Sequence, residues 1–487
     1  MQIGSVTLRD YQERDVDKFL NEPSCLTAYD TRGGKTMIGL ALTLRRLAEL
    51  EHTGPVLIVT DSTSPWQRDL VKLAVGEERL TIHGTTKYKD YTKLRDEWRR
   101  QIADPQDGHF YQIHWSALIH EIERLVKVKC WHTILADEAH AAKNRNSQRT
   151  LALKRIKAIF KIGVTADPDD NSPVDIWSLL NWLYPARYPA FWRWVKKYVE
   201  VFEGVNPKSG KKYFTFGRPL NVEEFRAEIE PFFVRMSLDE IDPGQVPDVF
   251  DEIVVEMTPE QDDAYDQMKQ WQMTQLGDEL VIADYPMVEK MRLQQLAQSM
   301  CRAEFRTVWR TVKEFDERGN KVKVRKQVET VKLIPTDPSP KLDALIERLI
   351  SEPKPTILFS TFPEIIAMAC KRMSNAGISY VHVKDNGQLV DGERQFQAGE
   401  VDVIAGTTGI MAQSIELNRA DRVAFLDVPW NPRVRRQAIG RGKAVGKRTA
   451  LEVLDIRTKG TVDFLRLPKV RRKQDWKNEL LGRKEQI

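Results

Sequence analysis

Short runs of apolar residues alternate with helical patterns along the first 185 residues of the chain. Each run is nearly continuous in apolar character, which predicts strands that are buried on both faces of a sheet. The predicted strands lie at 26–29, 55–60, 111–116, 133–136 and 159–165, and the predicted helices at 8–20, 37–50, 117–126 and 176–183. Because strands that alternate with helices are joined by crossovers, this pattern predicts a parallel sheet.

The pattern changes after residue 185 and returns near residue 356. An aromatic, basic helix is predicted at 191–198, a turn between short strands at 207–212, a strand at 252–257, and long helices at 261–276 and 286–302. Strict alternation from 305 to 333 around residues 317–321 predicts a β-hairpin. Strands are then predicted at 356–360, 380–383, 401–405, 422–426 and 451–454, which indicates a second parallel sheet.

Composition fits a chain of at least two domains. The 487 residues exceed what one ordinary core accommodates, and 41% of them are hydrophobic. Four widely spaced cysteines form no CxxC pair, so we expect neither a zinc site nor a disulfide framework. The N-terminus has no signal-peptide pattern, and no apolar run reaches membrane-spanning length. We therefore expect a soluble, intracellular protein.

Positive charge is concentrated in two places although the net charge is only +5. Residues 305–333 hold nine Lys or Arg against four acids, and residues 469–484 hold seven against two. Such clusters are typical of surfaces that contact a nucleic-acid backbone, although a solvated ribbon and a solvated helix end are the plainer alternatives.

A glycine loop with Lys35 and Thr36 joins the short predicted strand 26–29 to a helix. In this context backbone N–H groups and the helix N-terminus face an anion, while Lys35 reaches phosphates and Thr36 ligates Mg²⁺. The loop includes Arg32, Gly33 and Gly34, but Tyr29 stands where the strict phosphate-loop pattern has its first glycine.

Two adjacent carboxylates, Asp137 and Glu138, follow the apolar strand 133–136. The carboxyl edge of a parallel sheet is where such proteins bind ligands. There, an aspartate holds Mg²⁺ and a neighbouring glutamate orients the water that attacks a phosphate. A solvated acidic turn is the plainer alternative. The hydroxyl-rich loop after strand 55–60, with Ser62 and Trp66, is a further candidate for phosphate contact, against ordinary turn chemistry.

An ordered set of motifs resembles the Swi/Snf-type branch of superfamily 2 helicase-like ATPases, in a compact prokaryotic or phage form. The matching segments are Leu8-Arg9-Asp10-Tyr11-Gln12, Lys35-Thr36, Asp137-Glu138-Ala139-His140 (a DEAH box) with Lys143-Asn144, Trp177-Ser178-Leu179-Leu180-Asn181, Asp427-Val428-Pro429-Trp430-Asn431-Pro432, and 437–446. The resemblance covers most of the chain.

The resemblance implies an α/β fold of two RecA-like parallel-sheet lobes with helical protrusions and an inserted β-hairpin. We accordingly predict a RecA-like lobe at 1–185, its helical protrusion at 186–245, connecting helices and the hairpin at 246–335, a second RecA-like lobe at 336–468 and a basic tail at 469–487. We expect a monomer in the cytoplasm of a prokaryotic cell or a phage-infected host, without the long chromatin-reading domains of many relatives.

The resemblance also implies ATP and Mg²⁺ in a cleft between the lobes. The implied catalytic residues are Lys35, Asp137, Glu138 and Arg441, and the implied metal ligands are Thr36 and Asp137. The implied nucleotide contacts are Arg9, Gln12, Arg32, Gly33, Gly34, Lys35, Thr36, Gln437 and Arg441, with Gln12 on the adenine. Arginines of the last motif stabilise charge in the transition state.

DNA, duplex or branched and bound without sequence preference, is the implied partner. The candidate contacts are Ser62, Trp66, Lys143, Asn144, Arg318, Lys321, Lys323, Trp430, Asn431, Arg471, Arg472 and Lys473. The function expected from the resemblance is an ATP-dependent double-stranded DNA translocase. A strand-separating or branch-migrating helicase on DNA or RNA is the first alternative, and a small-molecule phosphate-loop kinase would not need the second lobe.

Three positions depart from the family pattern. Arg32 replaces a glycine of the phosphate loop, Ser414 replaces a glycine, and Ala444 replaces the second arginine of the last motif. Unless Lys443 substitutes for that arginine, one catalytic cation is missing. A nucleotide-regulated DNA-binding protein with weak or no hydrolysis is therefore the second alternative.

Overall fold

The computed structural model describes the chain in ranges that cover nearly all of its length. These are residues 2–30, 33–50, 52–61, 64–84, 90–166, 168, 173–205, 210, 212–283, 286–315, 321–385, 387–411, 415–429 and 431–464, with backbone alone at 64, 65, 286, 310, 312–315, 321–323 and 432. The described residues form two compact units, one of residues 2–245 with Ala444–Arg448 and one of Val246–Lys443 with 449–464.

The first unit is built on a seven-stranded sheet in which each pair of neighbours is parallel. The strands of this unit are β1 Gln2–Ile3, β2 Val6–Thr7, β3 Ser24–Tyr29, β4 Val56–Thr60, β5 Leu80–Ile82, β6 Phe110–His114, β7 Trp131–Asp137, β8 Ala158–Val164, β9 Val199–Val205, β10 Lys212–Pro219 and β11 Phe233–Met236. The sheet order is β11-β3-β8-β7-β4-β6-β5.

Helices cover this sheet. They are α1 Asp10–Phe19, α2 Lys35–Glu49, α3 Ser64–Lys72, α4 Tyr91–Ile102, α5 Trp115–Leu125, α6 Gln148–Arg155, α7 Ile176–Leu183, α8 Phe191–Tyr198, α9 Val222–Ile229 and α10 Leu238–Ile241, with short 3-10 helices at Glu77–Arg79, Ala139–Ala142, Pro173–Asp175 and Glu230–Phe232.

Alternate residues of the central strands feed two separate cores. Ile134 of β7 and Leu57 of β4 belong to one hydrophobic cluster, whereas Leu135 and Ile58 belong to the other. Because successive side chains of a strand point to opposite faces, a strand with a core on each side is apolar throughout. This is the physical reason for the continuous apolar runs in the sequence.

The segment after α7 forms an aromatic subdomain and then returns to the sheet. Trp194 and Tyr198 of α8 pack on Phe225 of α9, with ring centroids 5.6 and 5.1 Å apart, and β9 pairs with β10. Strand β11 then pairs in parallel with β3, with Phe233 opposite Leu26. Residues 233–236, which the sequence pattern did not distinguish from the predicted protrusion, therefore lie at the edge of the first sheet.

The second unit contains a six-stranded sheet, again with parallel neighbours throughout. Its strands are β12 Val249–Val255, β13 Met273–Leu276, β14 Glu279–Ile282, β15 Met300–Phe315, β16 Lys321–Thr336, β17 Thr356–Ser360, β18 Tyr380–Val383, β19 Val403–Thr407, β20 Arg422–Phe425 and β21 Glu452–Thr458. The sheet order is β12-β21-β20-β17-β19-β18.

The helices of the second unit are α11 Pro259–Trp271, α12 Pro286–Leu296, α13 Pro340–Ser351, α14 Pro363–Asn375, α15 Leu389–Gln397, α16 Thr408–Met411 and α17 Pro432–Gly440. The two parallel sheets with their helices confirm the predicted fold class. The exact boundaries of the five predicted segments stay predictions. In no described range is there a helix with the length and apolarity that a membrane crossing requires.

Two predicted helices end earlier than the sequence pattern indicated. The helix predicted at 261–276 stops at Trp271, because Gln272 adopts a left-handed conformation with φ 58° and reverses the chain. Strands β13 and β14 follow as a small hairpin around Gly277. The helix predicted at 286–302 stops at Leu296, and the backbone of β15 is already extended at Met300.

The predicted β-hairpin is confirmed and is longer than expected. Strands β15 and β16 have 16 residues each and pair in register from Met300 opposite Thr336 to Phe315 opposite Lys321. We call these two strands the ribbon. Its turn, residues 316–320, lies outside the described residues.

Candidate functional site

The loop between β3 and α2 has the backbone of an anion-binding site. Gly34 is the N-cap of α2 and has φ 75°, a conformation that glycine adopts without steric cost. Helix α2 has 15 residues and no acidic residue in its first turn, so its positive end is not neutralised locally. Arg32, a predicted nucleotide contact, lies outside the described residues.

Lys35 closes this loop. Its ammonium donates hydrogen bonds to the backbone carbonyls of Tyr29 at 3.1 Å and Asp30 at 3.4 Å. The Tyr29 side chain points away into the core and donates its hydroxyl to the Asp15 carboxylate. Burial and this hydrogen bond raise the pKa of Tyr29, which stays neutral. The tyrosine thus fills the core while its carbonyl faces Lys35, which explains how it replaces a loop glycine.

Helix α1 packs its first turn against the same loop. The Tyr11 hydroxyl donates to the carbonyl of Gly33 at 3.1 Å, and the backbone N–H of Arg9 donates to Gln12 Oε1 at 3.0 Å. The Gln12 amide nitrogen lies so close to Gly34 that a Cβ there would meet it at 2.4 Å. The structure therefore brings the predicted contacts Arg9, Gln12, Gly33 and Gly34 together.

Asp137 ends strand β7 and is held by several donors. Its Oδ2 accepts hydrogen bonds from the Thr60 hydroxyl at 2.9 Å and from the Trp66 indole N–H at 2.7 Å. Its Oδ1 accepts the backbone N–H of Glu138 at 2.9 Å, and its backbone carbonyl accepts the Trp115 indole N–H at 2.8 Å. Two tryptophans at the starts of α3 and α5 thus fix this one residue.

The protonation of Asp137 is finely balanced. Burial and, next, the charge of Glu138 raise the pKa of its carboxyl to about 6, against the lowering effect of the hydrogen bonds from Trp66 and Thr60. The ammonium of Lys35 also lowers it, which means that the loop lysine acts electrostatically on this carboxylate. The charge of Lys35 thus reaches the carboxyl group at the end of β7, which agrees with the placement of both residues after parallel strands of one sheet.

Glu138 occupies a strained backbone conformation beside Asp137. Its φ is 45°, in the left-handed region that residues with a Cβ rarely adopt. Nδ1 of His140 lies 3.1 Å from Glu138 Oε2 and 3.2 Å from the Thr165 hydroxyl, which follows β8. A carboxylate oriented in this way at a sheet edge is suited to accept a hydrogen bond from an attacking water.

The residues at this edge fit a magnesium ion. Mg²⁺ prefers oxygen ligands, and the site offers the Asp137 carboxylate and the Thr36 hydroxyl in the first turn of α2. Three protein donors take three of the roughly four lone-pair directions of the carboxylate. One direction on Oδ1 is left for the metal or one of its waters.

The placement of Trp66 corrects its interpretation as a DNA contact. Its side chain is only 1% exposed, and its indole N–H is directed at Asp137. Sequence reasoning missed Thr60, Tyr11 and Trp115 as residues of the site. Of these three, Thr60 alone could have been found, because a hydroxyl at the end of a strand next to β7 faces the same edge of the sheet. Ser62 lies outside the described residues.

Lys143 and Asn144 follow the acidic pair along the chain. Lys143 ends the 3-10 helix Ala139–Ala142, and Asn144 is exposed with its Oδ1 accepting the N–H of Asn146 at 3.1 Å. Their position just beyond the carboxyl edge is compatible with the DNA contact predicted for them.

The last motif, residues 437–446, begins in the C-terminal half of α17. Gln437 is 7% exposed, and the Arg441 guanidinium donates to the carbonyl of Ile415 at 3.1 Å. Asn431 caps the helix by accepting the N–H of Arg433 at 2.9 Å, a structural role beside the DNA contact predicted for it. Trp430 lies outside the described residues.

Lys443 is engaged by a carboxylate of its own unit. Its ammonium lies 2.6 Å from Asp248 Oδ2, with the two side chains 25% and 11% exposed. Ala444, where the family pattern has arginine, is half-buried. The lysine that would replace the missing arginine is therefore already in an ion pair.

Asp427, the first residue of the Asp-x-x-Trp-Asn-Pro motif, is buried and fully surrounded by donors. It accepts hydrogen bonds from Gln294 at 3.1 Å, Gln298 at 3.2 Å and the backbone N–H of Thr361 at 2.9 Å. It thereby ties helix α12 to the end of β17. The sequence motif itself does not indicate this structural role of Asp427.

The basic candidates at the turn and the tail remain predictions. Arg318 and the tail residues Arg471, Arg472 and Lys473 lie outside the described residues, and Lys321 and Lys323 are described by backbone alone.

Family models match most of the chain. The family model of the SNF2-related domain matches residues 12–304, more than half of the 487 residues, and that of the helicase conserved C-terminal domain matches residues 340–444. The chain belongs to the SNF2-related family, a Swi/Snf-type branch of superfamily 2 helicase-like ATPases.

Relatives match along nearly the whole chain. The SWI/SNF-related matrix-associated actin-dependent regulator of chromatin subfamily A containing DEAD/H box 1 homolog of Caenorhabditis elegans is 21% identical, over 94% of this chain and 50% of the relative. Transcription regulatory protein SNF2 of Saccharomyces cerevisiae is 22% identical, over 96% and 27%. The chain thus spans half or less of the length of these relatives.

Among solved structures, the Sulfolobus solfataricus SWI2/SNF2 ATPase core in complex with dsDNA matches with a TM-score of 0.41 and 18% identity, covering 95% of this chain and 91% of that one.

Proposed function

We propose that this chain is a DNA-dependent ATPase that couples ATP hydrolysis to movement along double-stranded DNA. The observation that carries the proposal is the placement of Lys35 after β3 and of Asp137 and Glu138 at the end of β7, in one parallel sheet, with a glycine-capped helix N-terminus at Gly34. Membership of a helicase-like ATPase family supports the same activity.

Each residue of the first unit has a defined task in this proposal. Gly34 lets the phosphates approach the N–H groups at the start of α2, and Lys35 exchanges its loop carbonyls for phosphate oxygens. Thr36 and Asp137 would hold Mg²⁺, which would supply positive charge to the phosphates. Gln12 contacts the adenine from its place against the loop. Glu138 orients the attacking water and accepts its hydrogen bond.

The second unit contributes the cation of the transition state in this proposal. Gln437 lies in the C-terminal half of α17, and Arg441, the intact arginine of the motif, directly follows the helix. An arginine directed at the transferring phosphate is worth about 10³- to 10⁵-fold in rate in related phosphoryl-transfer enzymes.

The DNA contact proposed here follows the phosphate backbone. The described candidates are Lys143, Asn144 and Asn431. A lysine is suited to phosphate contact, and neither lysine nor asparagine in a loop implies that bases are read. We therefore expect binding that is independent of sequence and that weakens steeply with salt.

Substitution of Glu138 tests the hydrolytic assignment. In the full chain we expect Glu138→Gln to lower DNA-stimulated turnover by about 10²-fold or more, because the amide cannot accept the proton of the water. ATP binding is retained. Glu49→Gln, a change of the same chemistry at an exposed ion pair on α2, is the control and keeps parental turnover. Parental turnover in Glu138→Gln would refute the assignment.

The shape of the DNA that stimulates turnover separates the alternatives. A duplex translocase is stimulated fully by blunt duplex of sufficient length. A strand-separating or branch-migrating helicase needs a single strand or a fork. The ribbon is the observation that favours a role for branched DNA.

A further inference from the structure

Most of the ribbon lies outside the part of the chain that the family models match. The first match ends at residue 304 and the second begins at residue 340, and the outer part of the ribbon lies in the interval between them. The ATPase core described above therefore does not account for it. An added element of 16-residue strands calls for a role of its own.

The base of the ribbon is rigidly attached. Cys301 of β15 and Leu333 of β16 are 5% and 1% exposed and pack with Met268 of α11 and Leu296 of α12. The buried Arg292 of α12 donates to the carbonyl of Val331 at 2.5 Å. Beyond this anchor the described side chains of β15 and β16 are mostly exposed. The base of the ribbon is thus packed into the second unit, while its described outer residues are open to solvent.

One face of the ribbon presents a tryptophan to solvent. Trp309 is 59% exposed and lies directly opposite Gln327, while Thr311 lies opposite Arg325 on the same face. The Arg325 guanidinium sits over the indole, 5.7 Å from the ring centroid. Trp309 and Arg325 thus present an aromatic ring and a cation side by side at the surface of the ribbon.

The charge of the ribbon selects a polyanion as its partner. Residues 305–333 carry nine cations and four acids. Arg306 and Lys332 are paired with Glu304 and Glu364, at 2.6 and 2.7 Å. Arg325 is exposed beside Trp309 and belongs to the excess of positive charge. An aromatic ring flanked by cations is the arrangement that single-stranded nucleic acids bind, through base stacking and phosphate contact.

We infer that the Trp309–Arg325 face of the ribbon binds unpaired DNA at the junction with a duplex, with Trp309 stacked on a base and Arg325 at a neighbouring phosphate. A base inside a duplex already stacks on both faces, so an indole gains a partner only where pairing ends. The inference rests on the proposed function and adds a contact with unpaired DNA beside the duplex on which that function acts.

Replacement of Trp309 in the full chain tests this inference. Binding is measured by fluorescence anisotropy on a fork and on a blunt duplex of the same sequence. We expect Trp309→Ala to weaken fork binding about fivefold or more, with duplex binding changed by less than about twofold. Trp309→Phe keeps an aromatic face and retains most of the fork affinity. Trp271→Ala removes an equally exposed tryptophan, 62% against 59%, outside the ribbon and keeps parental affinity for both.

A 2-aminopurine placed in the single strand next to the junction reports stacking directly. The parent quenches its fluorescence, and Trp309→Ala does not. Unchanged quenching and fork affinity in Trp309→Ala, or equal losses on fork and duplex, would overturn the inference. Failure of the proposed function is distinguishable, because the parent itself would then show no DNA-stimulated ATP hydrolysis on either substrate.

Discussion

The indole N–H of Trp66 donates a hydrogen bond of 2.7 Å to the carboxylate of Asp137. The tryptophan is buried at the start of α3, and the aspartate ends β7, 71 residues further along the chain. A hydrogen bond to an ionised carboxylate stabilises the charged form. Trp66 therefore helps to keep Asp137 in the state that binds a metal.

Removal of this hydrogen bond is expected to shift the pH dependence of ATP hydrolysis. The pKa of Asp137 is already raised to about 6 by burial and by Glu138, and the Trp66 hydrogen bond opposes that rise. In Trp66→Phe the pKa rises further, so the acid limb of kcat/KM moves to higher pH, by about one unit for a hydrogen bond to a charged group. A pH profile between 5.5 and 9, at saturating magnesium, measures the shift.

Trp98→Phe is the matched control for this variant. Trp98 is equally buried, and its indole nitrogen has no hydrogen-bond partner in the part of the chain that the structure describes. Trp98→Phe should lower stability slightly and leave the pH profile of ATP hydrolysis unchanged. If Trp66→Phe reduced activity by the same factor at every pH, Trp66 would be a packing residue only.

The carboxylate of Asp137 is expected to lower the stability of the nucleotide-free protein. A carboxyl whose folded pKa of about 6 exceeds its unfolded value favours folding most below the unfolded pKa, near pH 4, and loses that contribution as the pH rises through 6. Asp137→Asn removes the ionised group. We therefore expect it to be more stable than the parent at pH 8, on the order of 1–3 kcal/mol.

Denaturant unfolding at several pH values measures this difference, which should shrink as the pH is lowered from 8 to 5. Asp96→Asn, at a residue 60% exposed on α4, provides a control without such a trend. A parent that stays as stable as Asp137→Asn at pH 8 would contradict the prediction.

Much of the fold follows from the sequence because the central strands are buried on both faces. Strands β4 and β7 show uninterrupted apolar runs, and their positions were predicted within a few residues. Strand β11 was not predicted, because its four residues are all half-buried and carry no clear pattern. Strands β13 and β14 were missed because the helical pattern of α11 continues past Trp271, and only the left-handed Gln272 ends the helix.

For the site too, some relationships between residues could be predicted from the sequence and others could not. Lys35, Asp137 and Glu138 could be predicted to meet, since parallel strands place their following loops at one edge. The partners that hold them could not. A tryptophan in a hydroxyl-rich loop is as consistent with an exposed DNA contact as with a buried hydrogen-bond donor. Only the burial of Trp66 against Asp137 decides between the two.

Gly34 is expected to be intolerant of a side chain for two separable reasons. Its φ of 75° costs a residue with a Cβ about 1 kcal/mol or more, and that Cβ would meet the Gln12 amide nitrogen at 2.4 Å. Gly34→Ala therefore lowers stability and also displaces Gln12. We expect the KM for ATP to rise by about tenfold or more, as measured by steady-state turnover.

Gly277→Ala isolates the conformational part of this effect. Gly277 has φ 62°, and an added Cβ would find no described atom within 4 Å. This control should lose stability to a similar extent with the KM for ATP unchanged. An unchanged KM in Gly34→Ala would show that the close approach of Gln12 has no part in nucleotide binding.

The last motif is expected to be limited by its missing arginine. Lys443 is held by Asp248 at 2.6 Å, so we expect Lys443→Ala to lower the thermal midpoint while kcat stays within about twofold. Ala444→Arg supplies a cation at the position where the family pattern has one, and kcat should rise by about tenfold or more. Ala444→Gln matches the added length without the charge and should leave kcat unchanged. A large loss of kcat in Lys443→Ala, with no gain in Ala444→Arg, would show instead that Lys443 has taken over the role of the arginine.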